Sequence, residues 1–411
     1  MRCAARVMEG TRPSPATDAG NPRHGDALAA PFEFTTSLGR ARIVSSLEGD
    51  DVARWQKAFA GHAKDHRYHR ICAETLAGQF DHRYLFLENS ATGEVAMQQL
   101  FIVKQDLTAG MPGKLRAMLN WPRKVFPRWL SLRILMLGCS ASEGSLDSTA
   151  PWAVDALSDA LAAFARSLKV SIVLLKDYPS KYRDALKPLL SRGYSRAPSM
   201  PACGLALDFA SFEEFLQKRV SYSFRKNLRR KFKKLTEHPP LALEVVTDIS
   251  GVIDEIHPLY VQTFVRSELR FEELTKDFLL RISREMSDCA RFFLWRQNGK
   301  IVAFALCLIE GDTIHDLNVG LDYAVALDLH LYFVTWRDVV QWALDNGLKR
   351  YYTAPLNYDP KFHLRMELAP LDLYAWHTSR LINPIFKIAL RWLQPVRHDK
   401  TIRKFPNFHE L

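Results

Sequence analysis

Apolar positions recur along the chain with two periods, and each period predicts a different element. Over Pro151–Lys169 the residues Ala153, Ala156, Leu157, Ala160, Leu161 and Phe164 return every three or four positions. That spacing predicts a helix with one buried face, and Pro151 suits its first turn. Asp328–Asn346 repeats the pattern and stops at Gly347. Weaker helical patterns cover Asp51–Ala63, Arg67–Gln79, Tyr182–Arg192, Phe212–Leu235, Ile249–Ser267 and Thr275–Ser287. Between them lie short segments with strand character: Ala41–Leu47, Arg83–Glu88, Glu94–Lys104, Leu132–Leu137, Leu243–Thr247, Thr313–Gly320, Lys349–Thr353 and Leu371–His377. Val170–Leu175 is apolar throughout, as a strand covered on both faces reads. Arg291–Gln297 and Ile301–Ile309 flank Asn298-Gly299, a strong hairpin signal.

The order strand, two helices, hairpin, strand, long helix, short strand occurs twice. The repeat is one of pattern and not of identity. It predicts a mixed α/β protein of two similar units, 37–210 and 211–378, the second beginning with a basic linker helix over 212–235. Residues 1–36, rich in Ala, Pro, Gly, Asp and Thr without an apolar period, read as a disordered leader. Residues 379–411 read as a basic amphipathic tail.

Composition fits a globular protein, with 47% hydrophobic and 25% charged residues. Charge changes the picture: 56 Lys+Arg against 45 Asp+Glu gives +11, which favours anionic partners. The excess is uneven. Gln217–Leu235 holds nine cations and no acid, with Val220, Phe224, Leu228 and Phe232 as one apolar stripe. This is the expected anion-binding or cofactor-binding ridge, with Arg225, Lys226, Arg229 and Arg230 as its phosphate-gripping candidates. Met111–Arg133 and Leu381–Leu393 mix tryptophan, aliphatics and cations, a composition that fits a membrane interface. The six cysteines are scattered and no metal spacing occurs, so reduced thiols and no metal are expected. No apolar run reaches the roughly 18 residues of a membrane span. The expectation is a cytoplasmic protein, with the inner membrane surface as an optional anionic partner. No DNA partner is expected, since no helix-turn-helix or zinc-finger pattern occurs.

Several segments resemble a known group. These are Tyr222–Lys234, Phe292–Phe304 (FFLWRQNGKIVAF) and Trp342–Tyr352 (WALDNGLKRYY). With the element order, they make the chain similar to a tandem pair of GNAT acyltransferase units, of the kind found in Fem-type aminoacyltransferases and their acetyltransferase-like relatives. The resemblance implies transfer of an acyl group from acyl-CoA, as co-substrate, to an amine acceptor by direct attack. It departs from the family at Gly320–Leu331, which lacks the Arg/Gln-x-x-Gly-x-Gly/Ala turn that cradles a CoA pyrophosphate. Two alternatives therefore stay open: aminoacyl-tRNA as donor, or a degenerate GNAT module that binds anionic lipid or an envelope partner. Strand alternation in Thr313–Gly320 puts Asp316 and Asn318 on one face and His315 on the other. Asp316 or His315 is the expected proton acceptor and Tyr358 a candidate acid. The polar stretch after the next strand supplies Asn357, Lys361, His363 and Arg365 as substrate-binding candidates, Lys361 by the resemblance. The second unit, richer in such groups, is expected to be the catalytic one.

Overall fold

The structure, a computed structural model, describes residues 31–106, 131–267, 270–392, 394–397 and 399–411. The chain opens with β1 (Phe32–Thr36) and β2 (Gly39–Val44), then α1 (Asp50–Trp55), α2 (His66–Thr75), β3 (Asp81–Asn89), β4 (Val95–Asp106) and β5 (Ser131–Leu137). It continues through α3 (Pro151–Ser167), β6 (Ile172–Pro179), two single turns α4 (Arg183–Leu186) and α5 (Pro188–Ser191), β7 (Ser195–Pro198) and β8 (Ala202–Ala206). The second half comprises α6 (Phe212–Lys218), α7 (Tyr222–Leu235), β9 (Ala242–Val246), α8 (Ile253–Phe264), α9 (Lys276–Glu285), β10 (Ala290–Gln297), β11 (Lys300–Glu310) and β12 (Thr313–Leu321). It closes with α10 (Leu331–Asp345), β13 (Arg350–Thr353), α11 (Tyr358–His363), β14 (Glu367–Ala369), β15 (Leu371–His377) and α12 (Asn383–Trp392).

Two mixed sheets result, ordered β1-β2-β3-β4-β5-β6-β15-β7 and β14-β8-β13-β12-β11-β10-β9. Each is antiparallel except for one parallel pair, β5 with β6 and β12 with β13. In each, a long helix crosses over between the parallel partners, as a parallel connection requires. The sheets do not follow the sequence boundary drawn at 210. β8, before it, pairs with β13 and β14; β15, after it, pairs with β6 and β7. The units therefore exchange a strand each.

Other expectations change in detail. Of the leader expected over 1–36, residues 1–30 lie outside the described residues, and Phe32–Thr36 instead forms a strand that pairs with β2 through a Thr36–Gly39 turn. Gly39 is needed there: a Cβ would stand 1.8 Å from the Glu88 carbonyl oxygen. The helix expected over Asp51–Ala63 ends at Trp55; Phe59 takes φ 56° and still turns inward against His69. The helix expected over Phe212–Leu235 breaks at Arg219–Ser221 into α6 and α7. The basic Trp-containing segment at Met111–Arg133 lies, but for its last residues in β5, outside the described residues.

The buried core has one cluster on the outer face of each sheet, a small one around Trp55, Phe59 and Tyr84, and a last one between the units. The last brings Tyr68, Ile71, Phe101 and Met136 from the first unit against Ile256, Phe278, Phe292 and Leu306 from the second. Arg67 pairs with Asp288 at 2.8 Å across the same seam.

Candidate functional site

The parallel pair β12/β13 runs only from Thr313↔Arg350 to Asp316↔Thr353. Beyond Asp316 the strands part: β13 ends, while β12 continues beside β11 to Leu321. At the same point the β11–β12 register slips, with Leu306 opposite Asn318 and Cys307 opposite Asp316. Leu317 is the extra residue of a bulge. Solvent reaches this place: His315–Val319 are all partly exposed, between buried Ile314 and buried Gly320. A central strand open at the middle of its length is a gap in the sheet.

The bulge overturns the expected face assignment. Cys307 belongs to the outer core of the second unit and Leu306 to the cluster between units. Their partners Asp316 and Asn318 therefore point to opposite faces, because one extra residue inverts the alternation.

On the outer face, the Tyr351 hydroxyl donates to Asp316 Oδ2 at 2.7 Å. Burial pushes the Asp316 carboxyl up to about 6, with the Tyr351 bond and Lys361 opposing. Lys361, from α11, is buried and donates its ammonium to the Ala354 carbonyl oxygen. Burial lowers its pKa, while Cys203 and Asp316 pull it back. Tyr332 lies in the first turn of α10; burial, and then Asp316, raise its pKa, with the Asn357 side chain opposing. Asp316 and Lys361 lie near enough for each charge to act on the other. Tyr351, Tyr332 and Cys203 are additions. Cys203 reaches the site only through the exchanged strand β8, for which the local sequence carries no signal.

Tyr358 takes another role. Its hydroxyl donates to the Pro201 carbonyl at 2.7 Å and its ring is buried against Phe405. Its proton is committed to holding the Pro201 loop. His363 is exposed and stacks on Phe224 with ring centroids 5.0 Å apart. Arg365 is exposed at φ 59° beyond the end of α11.

On the inner face, His315 stacks on Tyr352 with centroids 5.6 Å apart. Burial pushes its pKa down to about 4, Lys64 adding to this and Glu143 and Glu310 opposing. Lys64 Nζ pairs with Glu143 at 2.6 Å. Burial opposes ionisation of Glu143, but Lys64 outweighs it and holds the carboxyl low. Glu143 and Glu310 keep 36% and 35% of their side-chain surface open, so this face is a wet, mixed-charge wall contributed largely by the first unit.

The cationic helix α7 packs on the second unit through Phe224, Leu228, Phe232 and Leu235. Two of its expected phosphate ligands are engaged within the protein. Arg225 donates to the carbonyls of Leu216 and Gln217, and Arg229 pairs with Glu213. Arg230, Lys231 and Lys234 instead crowd the start of α10. After burial, their charges are among the causes that depress the pKa of His330, the residue preceding that helix. Lys231 also lies 4.4 Å over the Phe333 ring. Lys226 is exposed on the outer side of α7.

Among its described residues, the first unit has no such opening. Its parallel pair ends at Leu137↔Leu175, and the segment after it fills the space. Gly144 N–H donates to the Asp177 carbonyl at 3.0 Å and Lys176 Nζ to the Ser142 carbonyl at 3.0 Å. Asp147 accepts from the Phe59 and Met97 amides at 2.7 and 2.8 Å. A Cβ on Gly144 would stand 2.5 Å from the Tyr178 ring. Among the described residues, no group of His, Cys, Asp and Glu could hold a metal ion, and no helix is long and apolar enough to cross a membrane.

Comparison with known proteins places the family signal at this site. Residues 222–359 match the family model described as an acetyltransferase (GNAT) domain. No curated protein sequence matches. Among solved structures, FemX is similar at 12% identity, covering 79% of this chain and 93% of that one, with a TM-score of 0.48. A tandem GNAT protein from the clavulanic acid biosynthesis pathway is similar at 11% identity, over 82% and 99%, with a TM-score of 0.45. The C-terminal domain of an Agrobacterium fabrum protein described as a lysylphosphatidylglycerol synthetase is similar at 14% identity, over 74% and 86%, with a TM-score of 0.43. The GNAT acetyltransferase match thus lies in the second unit, and the two sheets share one plan.

Proposed function

We propose that the second unit transfers an acyl group from acyl-CoA to an amine, at the gap between β12 and β13. The observation that carries the reading is the opening of β12 over His315–Val319, with a poised carboxylate at its edge. The donor's phosphates lie against Arg230, Lys231 and Lys234 at the start of α10, whose backbone N–H groups and dipole favour anions. The acyl group enters the gap from there. The amine approaches from the His315 face, where Glu143 and Glu310 favour an ammonium.

The ammonium first gives one proton to water at this wet face; the neutral amine then attacks the acyl carbon, the bond to the donor sulfur breaks, and the second amine proton goes to Asp316. A carboxylate near 6 is mostly ionised at pH 7 yet basic enough to take a proton, close to the optimum for a general base. Tyr332, whose burial keeps its hydroxyl protonated, returns a proton to the leaving thiolate. Lys361 holds Asp316 by charge and the Ala354 carbonyl by hydrogen bond. The first unit, sealed by its own Gly138–Asp147 segment, serves as the acceptor wall.

A second donor, aminoacyl-tRNA, is favoured by the exposed outer cations Lys226 and Lys233 of α7. Thermal shift with CoA and with tRNA separates the readings. An acyl-CoA enzyme gains about 2.7 kcal/mol at a hundredfold excess over Kd. A tRNA user shows no CoA response and binds tRNA with a steep salt dependence. No response to either ligand, with no turnover on an amine panel, defeats both enzyme readings and leaves a binding module.

A further inference from the structure

The helix α12 presents an apolar face that nothing among the described residues covers. Ile385, Ile388 and Trp392, spaced three and four apart, share one side of the helix and are 67%, 61% and 70% exposed. Leu381, just before the helix, is 87% exposed, and Ile382 is 48% exposed. The helix is nevertheless fixed in place. Asn383 accepts from the His377 amide at 3.0 Å and donates to the Gly193 carbonyl at 2.9 Å. Phe386, on the inward side, lies 6.0 Å from the His377 ring. The bare face therefore belongs to an anchored element.

Charge identifies what the face fits. From Ser379 to His398 the sequence has four cations, Arg380, Lys387, Arg391 and Arg397, and no carboxylate. Arg391 borders the apolar stripe, and Lys387 lies one turn before it on the same side of the helix. The Arg397 guanidinium lies 5.9 Å over the Trp392 ring, at the stripe's end. Cations on long stems flanking an aliphatic and tryptophan stripe match the boundary between anionic headgroups and acyl chains. A protein partner for a stripe this size would bring carboxylates to all four cations at once; a lipid surface does so without a specific fold. We propose that α12 seats this protein on an anionic lipid surface, with Leu381, Ile385, Ile388 and Trp392 inserted among the headgroups. The proposal is independent of the acyl-transfer reading.

Flotation of the full chain with vesicles tests it, using phosphatidylcholine alone and phosphatidylcholine with about a third phosphatidylglycerol. The expected result is flotation with the anionic vesicles only, weakened by salt. Ile385→Ser with Ile388→Ser should lower the bound-to-free ratio at least about tenfold. Because both residues point to solvent, the melting temperature of the double variant should stay that of the parent. Three results overturn the proposal: no flotation with anionic vesicles, equal flotation of the double variant, which would move the contact to α7, or a concentration-dependent dimer that the double variant abolishes, which would make the occupant a second copy.

Discussion

Replacing Asp316 by Asn separates the cost of this carboxylate from its use. Its pKa is raised from 3.8 to about 6, chiefly by burial. At 1.36 kcal/mol per unit, that is about 3 kcal/mol of preference for the neutral form in the folded state. The folded protein holds this proton more tightly than the unfolded chain, so the associated stability is full below about pH 4. It is lost as pH rises through about 6. Above pH 7 the native protein carries an ionised, partly buried carboxylate at that cost. Asn never ionises, and its carboxamide oxygen can still accept from the Tyr351 hydroxyl. Asp316→Asn should therefore melt several degrees above the parent at pH 8, at about 2–4 °C per kcal/mol for a unit of this size, and within a degree or so of it at pH 4. Turnover should fall about 10²–10⁴-fold. In the parent, the acid limb of kcat/KM should lie near 6, the Asp316 value, and not near 4, the His315 value. A variant less stable than the parent at pH 8, or one that keeps its turnover, refutes the reasoning.

Three further outcomes follow from contacts in the same structure. Tyr358→Phe should leave turnover unchanged and cost about 1–3 kcal/mol in a urea titration, since it strands the buried Pro201 carbonyl. Gly144→Ala should destabilise by a similar amount, about 1–3 kcal/mol, because the new methyl meets the Tyr178 ring at 2.5 Å and the Lys176 carbonyl at 2.7 Å. Donor affinity should survive that change, which a CoA titration can read. Lys231→Ala with Lys234→Ala should weaken CoA binding at low salt by about tenfold and flatten its salt dependence, whereas Arg229→Ala, already paired with Glu213, should do neither.

Most elements were legible because the apolar period survives in them. The long helices α3 and α10 and the hairpin β10–β11 fall within a few residues of the segments their patterns mark. Errors cluster where a buried side chain outlasts its helix. Ala58 and Phe59 keep the spacing of Asp51–Ala63, yet they are buried from a turn, packed beside Trp55 and Tyr84. Period reports which residues go inward and not which backbone carries them. Of the proposed site, Asp316 and Lys361 were singled out from the sequence and Tyr332 was not, since a tyrosine in a helix stripe looks like core until the strand beside it opens.

By itself the sequence determined two things: a duplicated order of strands and helices, set by local periodicity, and the segregation of cations onto α7 and the C-terminal segment. Tertiary structure alone decided the rest. The exchange of β8 and β15 depends on pairing between residues far apart in sequence, such as Gly204 with Tyr352 and Trp376 with Val173, which no local pattern encodes. The bulge at Leu317 is a one-residue register shift against β11. It sends Asp316 and Asn318 to opposite faces although their spacing puts them together. The closure of the first unit and the opening of the second follow from how two similar loops fill, or leave, the space where parallel strands part.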